Sequence, residues 1–355
     1  MKILVYGAGA VGGYLGAKLV QSGHDVTMIA RAATAEVASA NGLYVTEDSR
    51  TVLVRPQVVN SVAQAFMGDD VSYDAIIMAM KSYDLRPALD PLIAFCPDPP
   101  PIITTQNGIG VEQPLINQFG AERIVAGSVT IPISKETVNK IIVERADRGL
   151  ALAPIQPRRN IKEWVNLFKK AGVDTIRVNS YEAMKWSKAL LNIVGNATSA
   201  ILNRRPTLIY KSDAVFELEM QMLRETLAVM EKLKLELVDL PGTPTNRLAF
   251  SVRRLPKTLL KPILIRAVTE GRGDKMPSFH IDLAAGKGKS EVIYHNGAIA
   301  KAGQEHNVPT PVNTVLTDVL WKLTRDQLDW REYDGRPGRL LDDVKRYRQA
   351  AARSA

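Results

Sequence analysis

The chain has 355 residues, long enough for two hydrophobic cores, because a single core stops growing at about 250–300 residues. Apolar residues make up 46% and charged residues 23%, an ordinary globular balance, and no window approaches the roughly 18 unbroken apolar residues of a membrane span. One cysteine, Cys96, excludes an internal disulfide and a cysteine metal cluster and fits a reducing cytoplasm, while a net charge of +9 favours anionic ligands.

The first element is an apolar strand running into a glycine-rich turn, Gly7-Ala8-Gly9-Ala10-Val11-Gly12, with a helix expected over 13–22 and a second strand over 25–30. The apolar start is therefore read as a strand and not as a signal peptide. G-x-G-x-x-G alone also arises in ordinary turns. Between a strand and a helix it predicts a dinucleotide-binding βαβ unit, with Gly7 for the tight turn, Gly9 for phosphate approach and Gly12 for helix–strand packing. The following helix points its free N–H groups and positive dipole end at the phosphates. An NAD site places an acid at the end of the second strand; here stands Arg31, either a solvated surface arginine or, as we read it, a guanidinium suited to the 2′-phosphate of NADP(H).

Apolar runs at 75–80, 102–105 and 124–129 predict further strands of a mostly parallel sheet. Lys81 and Asn107 follow two of these runs, where ligands meet the carboxyl ends of an open sheet, although Asn107-Gly108 is also a common turn pair. Residues 140–145 and 149–154, joined by Ala146-Asp147-Arg148, read as an antiparallel pair. A helix over 160–171 and a last strand over 174–178 complete a Rossmann-type doubly wound domain, 1–179.

From 180 to 355 the periodicity is helical, predicting an all-helical second domain with long helices over 184–202, 216–235, 291–302 and 314–323 and a tail helix beyond Arg336. In the first of these, Lys188, Asn192 and Asn196 fall at i, i+4 and i+8, one polar stripe on an apolar helix. Such a stripe is either a structural hydrogen-bond network or a face turned to an oxygen-rich substrate. Residues 251–268 mix five cations with six large aliphatics. Pro256 and Pro262 argue against one continuous interfacial helix, and a packed or oligomer-facing element is favoured over contact with an anionic membrane surface. Later come Ser278, and Ser290 as an N-cap with Glu291 in the first turn beyond it. His24, His280, His295 and His306 show no metal spacing, so no metal is expected, and no helix-turn-helix, zinc-finger or base-stacking motif supports nucleic acid. His280 is close enough behind Ser278 to line a pocket.

Taken together, GAGAVG at 7–12, Arg31, Lys81, QNG at 106–108, WSKALLNIVGN at 186–196, PS at 277–278, SEVIYHNG at 290–297 and VPTPVN at 308–313 make the chain resemble the ketopantoate reductase (2-dehydropantoate 2-reductase) family. The resemblance implies a cytoplasmic NADPH-dependent enzyme with its active site between a Rossmann and a helical domain. It implies reduction of 2-dehydropantoate to (R)-pantoate, on the way to pantothenate and coenzyme A. It further implies that Lys188 is the general acid, that Glu291 orients it, and that Asn107, Asn192, Asn196 and Ser278 hold substrate. Cofactor contacts implied are residues 7–12, Arg31, Lys81, Asn107 and Glu291. Departures from the family, namely extra length over about 240–276, one added residue between Ser278 and Glu291, and His280-Ile281, lie on the substrate side. They leave open another branched 2-oxo acid as substrate, or a non-catalytic NADP(H)-binding regulator; the latter needs neither Lys188 nor Glu291. A homodimer is also left open, and stable membrane insertion is not expected.

Overall fold

In the computed structural model, which describes residues 1–68, 71–272 and 275–354, the chain divides into two compact units. One comprises Met1–Lys185 with Val238–Thr243, and the other Trp186–Leu237 with Pro244–Ala355. The division thus falls inside the Tyr181–Asn192 helix, six residues beyond the expected 179, and a short later segment returns to the first unit. That segment is held by Thr130, whose hydroxyl donates to the Pro241 carbonyl at 2.8 Å.

Among the described residues the first unit has twelve strands: β1 (Lys2–Tyr6), β2 (Asp25–Ile29), β3 (Leu43–Glu47), β4 (Arg50–Val54), β5 (Gln57–Val59), β6 (Ala75–Met78), β7 (Ile102–Thr104), β8 (Ile124–Val129), β9 (Ile133–Thr137), β10 (Lys140–Val143), β11 (Leu150–Pro154) and β12 (Thr175–Arg177). Eight form one sheet in the order β12-β11-β8-β7-β6-β1-β2-β5, parallel except where β11 meets β8. Helices cover both faces, so its central strands are largely buried: every residue of β6, β8 and β11 is buried. The period of two divides β1 between two cores, Ile3 and Val5 joining one and Leu4 the other. Since β1 lies between β2 and β6, the connections leave it in opposite directions, and the crevice at its carboxyl end is the switch point where such sheets bind ligands.

The remaining strands form a small sheet, β4-β3-β10-β9, absent from the sequence expectation. Asp48 and Ser49, both with positive φ, turn β3 into β4. The sheet rests on the Ala10–Gln21 helix, where a Cβ on Gly13 would lie 2.4 Å from the Ile141 side chain. The antiparallel pair expected from 140–145 and 149–154 does not form. β10 pairs with β9 and β3 in the small sheet, and β11 joins the large one. Burial explains the difference: all five residues of β11 are buried, as a two-faced sheet requires, whereas Lys140 at the start of β10 is exposed.

The second unit is helical, with the Asp213–Lys232 helix burying eleven of its side chains. The single helix expected over 184–202 is two, Tyr181–Asn192 and Asn196–Leu202, separated at Gly195, which has φ +61°. A carboxylate fixes the break. Glu219 accepts the Gly195 N–H at 2.7 Å, the Tyr210 hydroxyl at 3.0 Å, and the Thr198 hydroxyl. Likewise 291–302 is a short 3₁₀ turn, Glu291–Tyr294, followed by the Asn296–Glu305 helix. Residues 251–268 fall in two helices, Thr245–Arg254 and Lys257–Arg272. Pro256 separates them, while Pro262 lies inside the second at an exposed position, so its missing hydrogen bond leaves the Thr258 carbonyl on the wet side. Among the described residues no helix is long and apolar enough to cross a membrane.

Candidate active site

The turn after β1 is shaped by steric need at two of its three glycines. Gly7 has φ +108°, and a Cβ there would lie 2.6 Å from the Met80 backbone nitrogen; a Cβ on Gly12 would lie 2.1 Å from the Gly7 carbonyl oxygen. Gly9 differs. It caps the Ala10–Gln21 helix with an ordinary negative φ, and a Cβ there would meet nothing within 4 Å. No contact among the described residues demands glycine at this position, and the space over it borders the helix N-terminus, where a pyrophosphate could approach the backbone. A dinucleotide therefore fits the residues present.

Around this turn stand two cations. Arg31, two residues beyond β2 and capping the Ala32–Asn41 helix, has a side chain 87% exposed, with Asp84 at 3.4 Å. Lys135, from β9, donates to the carbonyl of Ala8 in the glycine turn at 3.3 Å. Burial, and then the nearby Arg31 charge, pulls the Lys135 ammonium below the ordinary lysine range. Sequence reasoning missed Lys135, because only the small sheet brings it to the turn.

Lys81 follows the strand β6 and caps the 3₁₀ turn Ser82–Asp84, and Asn107 lies beyond β7. The two loops are tied together where Ser82 donates through its hydroxyl to the Asn107 carbonyl at 2.6 Å. Gln106 is pinned separately: Lys185 Nζ donates to its carbonyl at 2.9 Å. Lys185 also pairs with Glu112 at 2.7 Å, both side chains being almost wholly buried.

In the helical unit, Lys188 and Asn192 are half-buried on the Tyr181–Asn192 helix, whereas Asn196 begins the next helix. The three do not share one continuous helix face, because Gly195 turns the chain between the second and the third. Asn196 is buried and uses its amide within the protein. It donates to the Asn192 carbonyl at 3.2 Å and to Ser278 Oγ at 3.4 Å, and accepts from the Phe279 N–H at 3.2 Å. Asn196 and Ser278 are thus brought together, with Asn196 fixing the start of the Ser278–Ala284 helix. Glu291 is buried in a 3₁₀ turn whose N-cap is Ser290, the serine hydroxyl accepting the Val292 N–H at 3.2 Å. His280 is engaged with Asn203 at 2.7 Å and packs its ring against Trp330.

Two sequence profiles match the chain: "Ketopantoate reductase PanE/ApbA" over residues 3–154 and "Ketopantoate reductase PanE/ApbA C terminal" over 180–323. The chain is 26% identical over 328 residues to a 2-dehydropantoate 2-reductase of Pyrococcus horikoshii, covering 92% of this chain and 97% of the relative. Among solved structures, a PanE/ApbA family ketopantoate reductase from Ralstonia eutropha superposes with a TM-score of 0.76 at 25% identity, over 92% of this chain and 99% of that one. A D-mandelate dehydrogenase in complex with NADH and anilino(oxo)acetate shares the fold, with a TM-score of 0.77 at 21% identity over 92% and 99%.

Proposed function

This chain belongs to the ketopantoate reductase family, a family of oxidoreductases, and from that premise we propose that it uses NADPH to reduce a 2-oxo acid, 2-dehydropantoate, to its 2-hydroxy acid. The observation carrying this reading is the open space over Gly9 in a turn whose other glycines are sterically forced. Residues 7–12 then receive the pyrophosphate, and Arg31 and Lys135 meet the 2′-phosphate, two cations suited to a dianion. Asp84 beside Arg31 shares that guanidinium, which makes Lys135 the more valuable second cation.

When bound, the dinucleotide supplies the hydride that reaches the carbonyl carbon of the substrate. Charge then develops on the carbonyl oxygen. Lys188 stabilises that charge as an ammonium and donates its proton there, and water restores the proton afterwards. Glu291 orients the lysine. Asn192 and Ser278 hold the oxygen-rich substrate, and Asn196 acts with them by setting Ser278 in place. Lys81 and Asn107 stand at the carboxyl edge of the large sheet, where open sheets of this kind meet their ligands.

The test is a spectrophotometric screen of NADPH and NADH oxidation, run in parallel, against a panel of 2-oxo acids that includes 2-dehydropantoate. The expected outcome is fastest turnover with NADPH and 2-dehydropantoate. Faster turnover of a bulkier 2-oxo acid would overturn the substrate, preference for NADH would overturn the roles of Arg31 and Lys135, and silence throughout would overturn the enzymatic reading.

A further inference from the structure

The buried Lys185–Glu112 pair takes no part in the chemistry above. Both side chains are nearly inaccessible, at 3% and 1% exposed. Burying two charges is costly, and apolar replacements of such pairs are often as stable, so stability alone does not account for one. Its contacts point elsewhere. Lys185 Nζ holds the Gln106 carbonyl at 2.9 Å, while Glu112 Oε1 accepts from Lys185 and, at 2.8 Å, from the Thr104 hydroxyl at the end of β7. Glu112 Oε2 is buried and has no hydrogen bond among the described residues, so the carboxylate's charge is answered chiefly by Lys185. On the other side, Ser82 holds the Asn107 carbonyl. Two consecutive carbonyls of one loop are therefore fixed from opposite partners, just ahead of Gly108 with its φ of +106°.

We propose that Lys185, held in place by Glu112, is a positioning residue that clamps the Gln106 carbonyl and so sets the Asn107 amide at the carboxyl edge of the sheet. The proposal rests on the reading of Asn107 as a group that meets substrate or cofactor. Lys185 lies one helical turn before Lys188, so a single helix carries both the clamp and the proposed proton donor. Neither Lys185 nor Glu112 touches the reacting atoms.

The experiment compares full-length wild type with Lys185→Met, Glu112→Gln and the double variant Lys185→Met/Glu112→Leu. It measures thermal midpoint, hydrogen–deuterium exchange over residues 105–108, and kcat and KM separately. Lys185→Met leaves a buried carboxylate unanswered, so its midpoint falls; the double variant removes both charges and recovers it. The clamp predicts that the double variant, though stable, exchanges these amides about tenfold faster and loses about ten- to a hundredfold in kcat/KM. Glu112→Gln keeps the shape and an oxygen for Lys185, and is expected to keep its fold with a several-fold loss and faster exchange in the same segment. Wild-type exchange and kcat/KM in the stable double variant, or in Glu112→Gln should the double variant not fold, would overturn the proposal. Asn107→Ala separates the two readings. Unchanged kinetics there would overturn the role of Asn107, whereas the exchange measurement judges the clamp directly.

Discussion

An added methyl group has opposite consequences at Gly12 and Gly9, although both belong to the same six-residue turn. At Gly12 it would press on the Gly7 carbonyl oxygen and the Ala79 side chain; at Gly9 it would enter open space. Gly12→Ala is therefore expected to destabilise the first unit by about 1–3 kcal/mol, as overpacking does, visible as a lower urea midpoint. Gly9→Ala is expected to fold with wild-type stability and to lose NADPH affinity by about tenfold or more, since the methyl takes the space that the phosphates need. Normal NADPH binding by Gly9→Ala, measured by quenching of protein fluorescence, would remove the dinucleotide from this turn. The glycine spacing was legible in the sequence, yet the distinction between its members was not, because it depends on Met80 and Ala79 arriving from another strand.

At the scale of elements, helical periodicity identified the run from Met184 to Leu202 but not its interruption. Gly195 left no clear signal, since an isolated glycine is tolerated within a helix. The informative residue was Glu219, an acid lodged among Val215, Met222 and Leu223 on the apolar face of its own helix, where it serves Gly195, Thr198 and Tyr210. Glu219→Ala leaves those donors without their acceptor and is expected to cost about 3 kcal/mol or more, measured by chemical denaturation. A cost below about 1 kcal/mol would show that the break is held by something else. Lys185 carried a similar unread signal, a lysine between Met184 and Trp186 on a helix that buries both. Local patterns also failed for 140–154, where adjacent strands joined by a short turn went to different sheets. Strand pairing is decided by which faces are covered, and this is set by residues far along the chain.

For the whole molecule, the order of strands followed by helices and the residues at the sheet's carboxyl edge were readable from alternation and motif. The four-stranded accessory sheet was not, and with it went Lys135, whose approach to Ala8 depends on β9 pairing with β10 and β10 with β3. Nor did sequence spacing reveal that Asn196 spends its amide on Ser278 and Phe279. Binding of the hydride donor is proposed for the first unit and proton donation for Lys188 of the second. Lys188→Ala separates these functions most directly, with NADPH affinity measured by titration and turnover of 2-dehydropantoate measured on the same preparation. The expected result is affinity within about twofold of wild type and turnover reduced by about 10²–10⁴. Turnover at the wild-type rate would contradict it.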